Sequence, residues 1–424
     1  MSTPSWYPAL TQIVADGNGS APDLGGLAPD ALTLASMAVH GIAPAAACAP
    51  ESEAKLAEVV RFANAHKIDV LPRGSGTAQH IGNPPRPGAL AISTRKLAQL
   101  VHHEPGDMVA SVQAGMTLGA FQALLLEKGQ WLPLDAPPES TIGGLFAADR
   151  SGPLSYGYGT LRDMVLGVRI VNGDGVIRKS GGRVVKNVTG YALEKLYIGS
   201  LGTLGVVTEA TFRLRPLPIG RDGWCIPVAD AKSGAAALAQ IALKNLPLEI
   251  LQLISSDTAR GQLATMLDLP LNLVVAATGT AIELDRIHRE IEGAIQTLTA
   301  RRFAWTRPGE IQIEAGQHGG LVRFWCLAKQ MQDVLSLLDG GRALSISAGL
   351  NSGVVRRVLT PEFVKQVSAA LAGMNVNYRF ENAIGAGPAI DAPFGPPRPE
   401  WALMKRIKTA LDPQGILNAG RFVV

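Results

Sequence analysis

Residues 141–153 read TIGGLFAADRSGP, residues 158–175 read YGTLRDMVLGVRIVNGDG, and residues 181–209 read GGRVVKNVTGYALEKLYIGSLGTLGVVTE. Small residues cluster in twos and threes through this stretch, between short β-branched runs such as Val165–Val171 and 206–208. Glycine lets a backbone pass close to a ligand and adopt positive φ. So many glycines among strand signals point to a cradle for a large, flat, phosphate-bearing ligand. Within the stretch, Asn172-Gly173-Asp174-Gly175 is a hairpin turn between strands expected at 168–171 and 176–179. A short helix is expected over 191–198 and a long closing strand over 205–214, before Pro216 and Pro218 punctuate the chain.

Upstream, residues 52–67 have an apolar helical face at Leu56, Val59, Val60 and Ala63, with Ser52 as the N-cap. A short strand at 69–71 then leads into Arg73-Gly74-Ser75-Gly76-Thr77. Strands follow at 89–93 and 108–113, a helix over 118–128 closed by Gly129, and a short strand at 131–134. His102 and His103 fall at a turn before Glu104 and carry no role. The first fifty residues are rich in Ala, Gly and Pro and read as an irregular lead-in with one short helix at 31–39.

Downstream, helices (235–244, 284–299, 331–338, 361–371) alternate with strands (248–254, 272–277, 320–326, 343–347). That order predicts helices packed on one antiparallel sheet. A Pro-rich linker spans 388–399, and a final helix over 399–411 leads into DPQGILNAGR. The expected division is a lead-in over 1–50, a ligand-cradling unit over 51–218, a second unit over 219–388 and a returning segment over 389–424.

At 424 residues the chain is long enough for two or three folded units. Only 17% of residues are charged and the net charge is +4 without a Lys/Arg run, which argues against nucleic-acid binding. Cys48, Cys225 and Cys326 are far apart, with no C-x-x-C pair, so they read as inert thiols, without a zinc or iron–sulfur site of the chain's own. No signal peptide is apparent, and the apolar stretch 31–49 is broken by His40, Gly41 and Pro44. The expectation is a cytoplasmic protein, peripheral at a membrane only through partners.

Three motifs carry the ligand argument. Arg73 to Thr77 gathers backbone N–H groups and the Ser75 and Thr77 hydroxyls on one turn, a nest suited to a pyrophosphate. It is neither a Walker loop nor a Rossmann fingerprint. Asp135, then Ser140, Thr141, Gly143 and Gly144, continued by Ser151 and Gly152, form a second loop. Residues 199–209 feed a strand whose backbone suits an adenine edge. Each alone is equally well a plain turn; the three together, in this order, are not.

Together these residues resemble the vanillyl-alcohol oxidase type of flavoprotein, the FAD-linked oxidases with a PCMH-type FAD domain. Within it, the chain is similar to the FAD-binding E subunit of bacterial glycolate oxidase. The likeness covers residues 66–218 and returns at 403–422, where MKRIKTALDPQGILNAGRF resembles the family's flavin-side segment. Gly82-Asn83-Pro84-Pro85-Arg86-Pro87 and Gly129-Gln130-Trp131-Leu132-Pro133-Leu134-Asp135 favour the E subunit over its paralogues.

The resemblance implies an α+β architecture: a PCMH-type domain of two α/β subdomains, with FAD extended between them, and a smaller α+β cap. It implies that Arg73, Gly74, Ser75, Gly76, Thr77, Ser140, Thr141, Gly143 and Gly144 hold the pyrophosphate. Ser151 and Gly152 would lie near the isoalloxazine ring or ribityl chain, Val207 near adenine, and Asn418 and Arg421 would approach from the C-terminal segment. The family often has Pro where Ala419 stands. Covalent attachment in this superfamily often uses a His just after the first glycine loop. Thr77 stands there and His80 lies beyond it, so the FAD is expected to be non-covalent.

Catalytic relatives carry H-G-x-G-x-x-H and E-H-G segments in the second unit. This chain has His288 and His318 there, without paired metal-ligand spacing, and they read as ordinary surface histidines; no metal is expected. Arg323 and Arg379 are candidate carboxylate clamps, although Glu381 beside Arg379 offers a simple structural partner. Lys186, Asn187 and Tyr191 are weaker candidates for the substrate face. Three functions follow from the resemblance. The chain itself oxidises a 2-hydroxy acid such as glycolate, or it carries electrons as a flavin subunit beside a D-like FAD subunit and an iron–sulfur F-like subunit. The missing histidines favour the second. A stand-alone oxidase of another alcohol is the third.

Overall fold

The computed structural model describes residues 5–6, 8–10, 31–183, 191–267, 269–295, 298–305, 320–338, 343–347, 352–381, 390 and 392–424. Lys186, Asn187, Gly190 and His318 lie outside them.

Ala46–Cys48 (β1), Val70–Arg73 (β2) and Leu90–Ser93 (β3) form a parallel sheet in the order β1-β3-β2. Parallel strands need crossover connections; the helix Glu53–Ala65 carries the chain from β1 past the central β3 position to β2. The Ser52 hydroxyl accepts from Lys55 N at 3.2 Å, and Leu56, Val59, Val60 and Ala63 are buried on the predicted face. Ordered structure thus begins inside the stretch expected to be irregular. Ala-Ala-Cys has no β-branched residue, and sheet pairing, not propensity, makes it a strand.

Leu100–Glu104 (β4), Val109–Gln113 (β5), Val165–Val171 (β7), Ile177–Gly181 (β8) and Val206–Arg213 (β9) form an antiparallel sheet, β4-β5-β9-β7-β8. Gln130–Trp131 (β6) pairs separately with Arg215–Pro216 (β10). His102 and His103 are in β4, not at a turn; the turn is the 3-10 helix Pro105–Asp107 that follows. Phe121, Phe146 and Phe212 fill the core between this sheet and the helices Leu118–Leu126 and Ile142–Ala148.

The second unit is one eight-stranded antiparallel sheet. Its strands are Arg221–Pro227 (β11), Leu248–Ser255 (β12), Leu271–Thr278 (β13), Arg301–Ala304 (β14), Gly320–Trp325 (β15), Ala343–Ser347 (β16), Ser352–Arg357 (β17) and Asn377–Glu381 (β18). The order is β14-β11-β13-β12-β16-β17-β15-β18. Successive side chains of a strand point to opposite faces. Leu251, Leu253, Ile346, Val355, Val322, Phe324, Tyr378 and Phe380 join the core with the helices Ala231–Leu243, Ala281–Ile295, Met331–Leu337 and Pro361–Gly373. Helix Ala281–Ile295 contributes Leu284, Ile287, Ile291 and Ile295, spaced at three and four residues. The alternate residues of the same strands face the first unit. There, Cys225, Ile250, Ile254, Val274 and Ala276 pack with Trp131 and Leu154, while Gln252, Ser345, Ser347, Arg323 and Arg379 line a cavity.

The helix Glu400–Leu411 brings the chain back to the first sheet. Val70 N donates to Ile416 O and Asn418 N donates to Val70 O, both at 2.8 Å. Buried Lys408 donates to Thr203 O at 2.7 Å and Leu417 O at 2.9 Å and pairs with Asp412, fixing this segment beside the 200–207 loop.

Candidate cofactor and substrate site

β2 ends at Arg73, and the loop after it faces the loop that opens helix Ile142–Ala148. Gly74 to Thr77, Thr141, Gly143 and Gly144 line one cleft together with residues 200–202, Gly205, Val206 and Val207, and with Asn418 and Arg421. The two loops touch so closely that a Cβ on Gly74 would sit 1.9 Å from Thr141 Oγ1. Gly76 has φ +86°, open to glycine at little cost. Thr77 Oγ1 and Ser140 Oγ are 3.0 Å apart, so Ser140 braces Thr77 from behind and does not itself line the cleft.

Three side-chain atoms of residues lining this cleft are buried without a protein partner: Thr141 Oγ1, Asn418 Oδ1 and Arg421 Nε. Buried polar atoms ordinarily find a partner, so a hydrogen-bonding ligand fits here. Asn418, at φ +44°, spends its amide nitrogen on Leu201 O. Arg421 is 2% exposed and donates to Gln79 O and Ile81 O, each at 2.7 Å, and to Asn83 O. Its guanidinium therefore clamps the 79–83 loop. Burial brings its pKa down to about 10.

A second cavity opens at the far end of helix Ile142–Ala148. Ala147 and Ala148 line the first cleft, and residues 149–152 line the second. Asp135, Ser151 and Gly152 form one wall; the cap sheet forms the other with Gln252, Arg323, Trp325, Ser345, Ser347 and Arg379. A Cβ on Gly152 would lie 2.3 Å from Asp135 Cβ, and Leu154 N donates to Asp135 Oδ2 at 2.6 Å. Burial pushes the Asp135 carboxyl up to about 7, against the Leu154 N–H and Arg221, which favour the charged form. A folded-state pKa above the ordinary 3.8 means that the folded chain holds a proton the unfolded chain has lost. The thermal midpoint should therefore fall as pH rises from 3.8 to about 7, and Asp135→Asn should flatten that slope. An equal slope in both proteins rejects the assignment.

Arg323 and Arg379 are direct cross-strand partners in β15 and β18. Like charges placed opposite each other destabilise a sheet. Glu381, fully buried, lies between them: its Oε1 accepts from Arg323 Nε at 2.9 Å and from Arg379 Nε and Nη2 at 3.0 and 2.6 Å. Burial alone would raise the Glu381 pKa, but Arg323, Arg379 and His80 outweigh it and hold the group well below the usual glutamate range. His80 Nε2, from the first unit, is 3.5 Å from Glu381 Oε2. Asp149 is a second carboxylate beside the pair, and Arg150 also lines the cavity, so three guanidiniums face two carboxylates here and leave positive charge.

The remaining candidates fare differently. Tyr191 is 91% exposed and lines neither cavity. His288 is not a plain surface residue: its Nδ1 accepts from Trp224 Nε1 at 3.1 Å, and its ring stacks on the indole. Cys48 and Cys225 are buried, and Cys326 is partly exposed. Among the described residues no group of three His, Cys, Asp or Glu side chains gathers as a metal site, and no helix is long and apolar enough to cross a membrane. Sequence reading gave His80 no role beyond the glycine loop and missed Gln252, Ser345 and Ser347. For the last three the available signal was polar residues set among the core residues of strands; His80 lies in a loop and had no such signal.

Residues 44–181 match the family model described as FAD binding domain, and residues 397–422 match that of the FAD linked oxidases, C-terminal domain. The chain thus resembles the FAD-linked oxidases in its first unit and in its returning C-terminal segment; it is an oxidoreductase and its cofactor is FAD. Glycolate oxidase subunit GlcD of Bacillus subtilis is 28% identical over 89% of this chain and 88% of that protein. Glycolate oxidase subunit GlcE of Escherichia coli is 36% identical over 38% of this chain and 47% of that one. D-lactate dehydrogenase of Archaeoglobus fulgidus is 33% identical over 47% and 45%. Among solved structures, alkyldihydroxyacetonephosphate synthase superposes with a TM-score of 0.72 at 16% identity, covering 99% of this chain and 87% of that one. For p-cresol methylhydroxylase the values are 0.68 and 17%, over 90% and 89%. These likenesses establish the α+β fold expected from the sequence.

Proposed function

We propose that the chain oxidises a short 2-hydroxy acid with FAD, in the cavity under the cap sheet, as a flavoprotein subunit of a multi-subunit dehydrogenase. The observation that carries this is the arginine pair held by Glu381 next to the cofactor cleft. Glycolate, lactate and 2-hydroxyglutarate, the acids in the relatives' names, share a carboxylate next to a carbinol. Glu381 takes up Arg323 through Nε alone, so the terminal nitrogens of that guanidinium remain to bind and orient a carboxylate. Bound FAD supplies the acceptor for the hydride that leaves C2. Asp135, on the opposite wall with a pKa near 7, takes the hydroxyl proton.

The turning of His80 toward Glu381 supports a non-covalent flavin. A D-like FAD subunit and an iron–sulfur F-like subunit would carry the electrons onward, and any membrane contact would run through them. The second reading, a flavin subunit that only relays electrons, draws on the likeness to GlcE, which covers less than half of either chain.

The test is anaerobic addition of glycolate or lactate to the purified yellow protein. Bleaching of the flavin supports oxidation in this chain. No bleaching until partner subunits are added supports the relay. Arg323→Leu should raise the acid concentration needed for half-maximal bleaching by roughly tenfold to a hundredfold; an unchanged value removes this arginine from the site.

A further inference from the structure

We propose that Gln252, Ser345 and Ser347 form a hydroxyl-recognition subsite on the cap sheet. It would select a short acid carrying a second hydroxyl beyond the carbinol carbon. This rests on reading the cavity as a hydroxy-acid site and names the substrate class within it.

The three residues lie on the cavity-facing side of β12 and β16. Gln252 stands opposite Ser347, and Ser345 opposite Ile254. A few residues away, the same face of the sheet is Ile250, Ile254, Val274 and Ala276. The change from apolar to polar occurs where the cavity opens. Packing alone gives no reason for it, since burying polar groups costs free energy unless they are paired.

Here the pairing is incomplete. Gln252 is 6% exposed and Ser347 8% exposed. One atom of the Gln252 carboxamide meets Ser345 Oγ. The other has no protein partner, and neither has Ser347 Oγ. A ligand hydroxyl both donates and accepts, so it satisfies a free carboxamide oxygen or nitrogen equally well and can pair with a serine hydroxyl besides. A methyl or phenyl group leaves those atoms unpaired, and a site built around hydrogen-bonding atoms discriminates strongly against a ligand that lacks the matching group.

The register also sets the reach. Ser345 is opposite Val354, Val354 is opposite Arg323, and Arg323 is opposite Arg379. Two strand spacings, together about 10 Å, separate the backbones of Ser345 and Arg323. The length of the Arg323 side chain shortens the gap, leaving room for an acid of about three to five carbons.

Glycerate and lactate differ at C3 by this one hydroxyl and serve as probes. The dithionite-reduced holoprotein, which cannot turn over, is titrated with each by calorimetry. The oxidised holoprotein is mixed with each anaerobically to follow flavin bleaching. Glycerate should bind about tenfold more tightly than lactate. Ser347→Ala and Gln252→Leu should each bring that ratio close to one while flavin content stays at the wild-type level. Lactate binding as tightly as glycerate, a ratio that survives both substitutions, or no binding of either acid overturns the subsite. If glycerate binds preferentially but neither acid bleaches the flavin, the subsite stands and oxidation by this chain fails. If both acids bleach the flavin and bind equally, oxidation stands and the subsite fails.

Discussion

Gly74→Leu should purify as a colourless protein. The Cβ of any residue at 74 would fall 1.9 Å from Thr141 Oγ1 and 3.0 Å from Thr141 Cβ. Turning the threonine side chain removes the first clash and leaves the second, so the two cofactor loops must part. Overpacking of this kind costs about 1–3 kcal/mol. The cost falls on the cradle itself, so FAD affinity should drop by roughly fivefold to 150-fold. Flavin absorbance of the purified protein, and fluorescence quenching on adding FAD to the apoprotein, provide the measurement. Gly74→Ala combined with Thr141→Gly restores the missing space and should recover part of the binding. Full yellow colour in Gly74→Leu would remove these loops from the cofactor site.

Glu381→Leu should be the most destabilising single change in the cap. It leaves two partly buried guanidiniums facing each other across adjacent strands with no counter-charge. Breaking a buried ion pair by removing one partner costs roughly 3–5 kcal/mol, readable as a shift in urea midpoint at neutral pH. The pH dependence follows from the depressed pKa of Glu381. A carboxylate held below its unfolded value adds stability that is fully present above the ordinary 4.5 and is lost as pH falls through the folded value. Wild type should therefore lose stability below pH 4.5 more steeply than Glu381→Gln. Parallel acid transitions in the two proteins would show that Glu381 is not the group concerned.

The cofactor half of the molecule was legible because its signals are local. Ser52, the Asn172–Gly175 turn and the glycines at 74, 76, 143 and 144 fix backbone geometry within a few residues of themselves. The cap was legible only as a class. Its helices announce themselves by three- and four-residue spacing, but β11, β14, β17 and β18 carry charged or small residues that blur the alternation. The substrate side was hardest to read, because its meaning depends on sheet order. Arg323 and Arg379 are far apart in the chain and become one charged site only when β15 and β18 pair. Glu381 was read as a neighbour of Arg379 alone; the fold makes it the counter-charge for both arginines and the contact point for His80. Asn418 and Arg421 were expected to approach the flavin. They line the cleft shared with the glycine loops, yet most of their donors serve the backbone around them.

The clasp between Arg421 and the 79–83 loop imposes an order on biosynthesis. Arg421 lies 342 residues beyond Gln79, the carbonyl it holds. While the chain is still emerging from the ribosome, the early glycine loops are exposed, and they stay unfinished until residues 416–421 arrive to seal the edge of β2. Such distant closure is slow and leaves a partly open intermediate. Nascent protein should therefore acquire its colour only after residues 416–421 have left the ribosome.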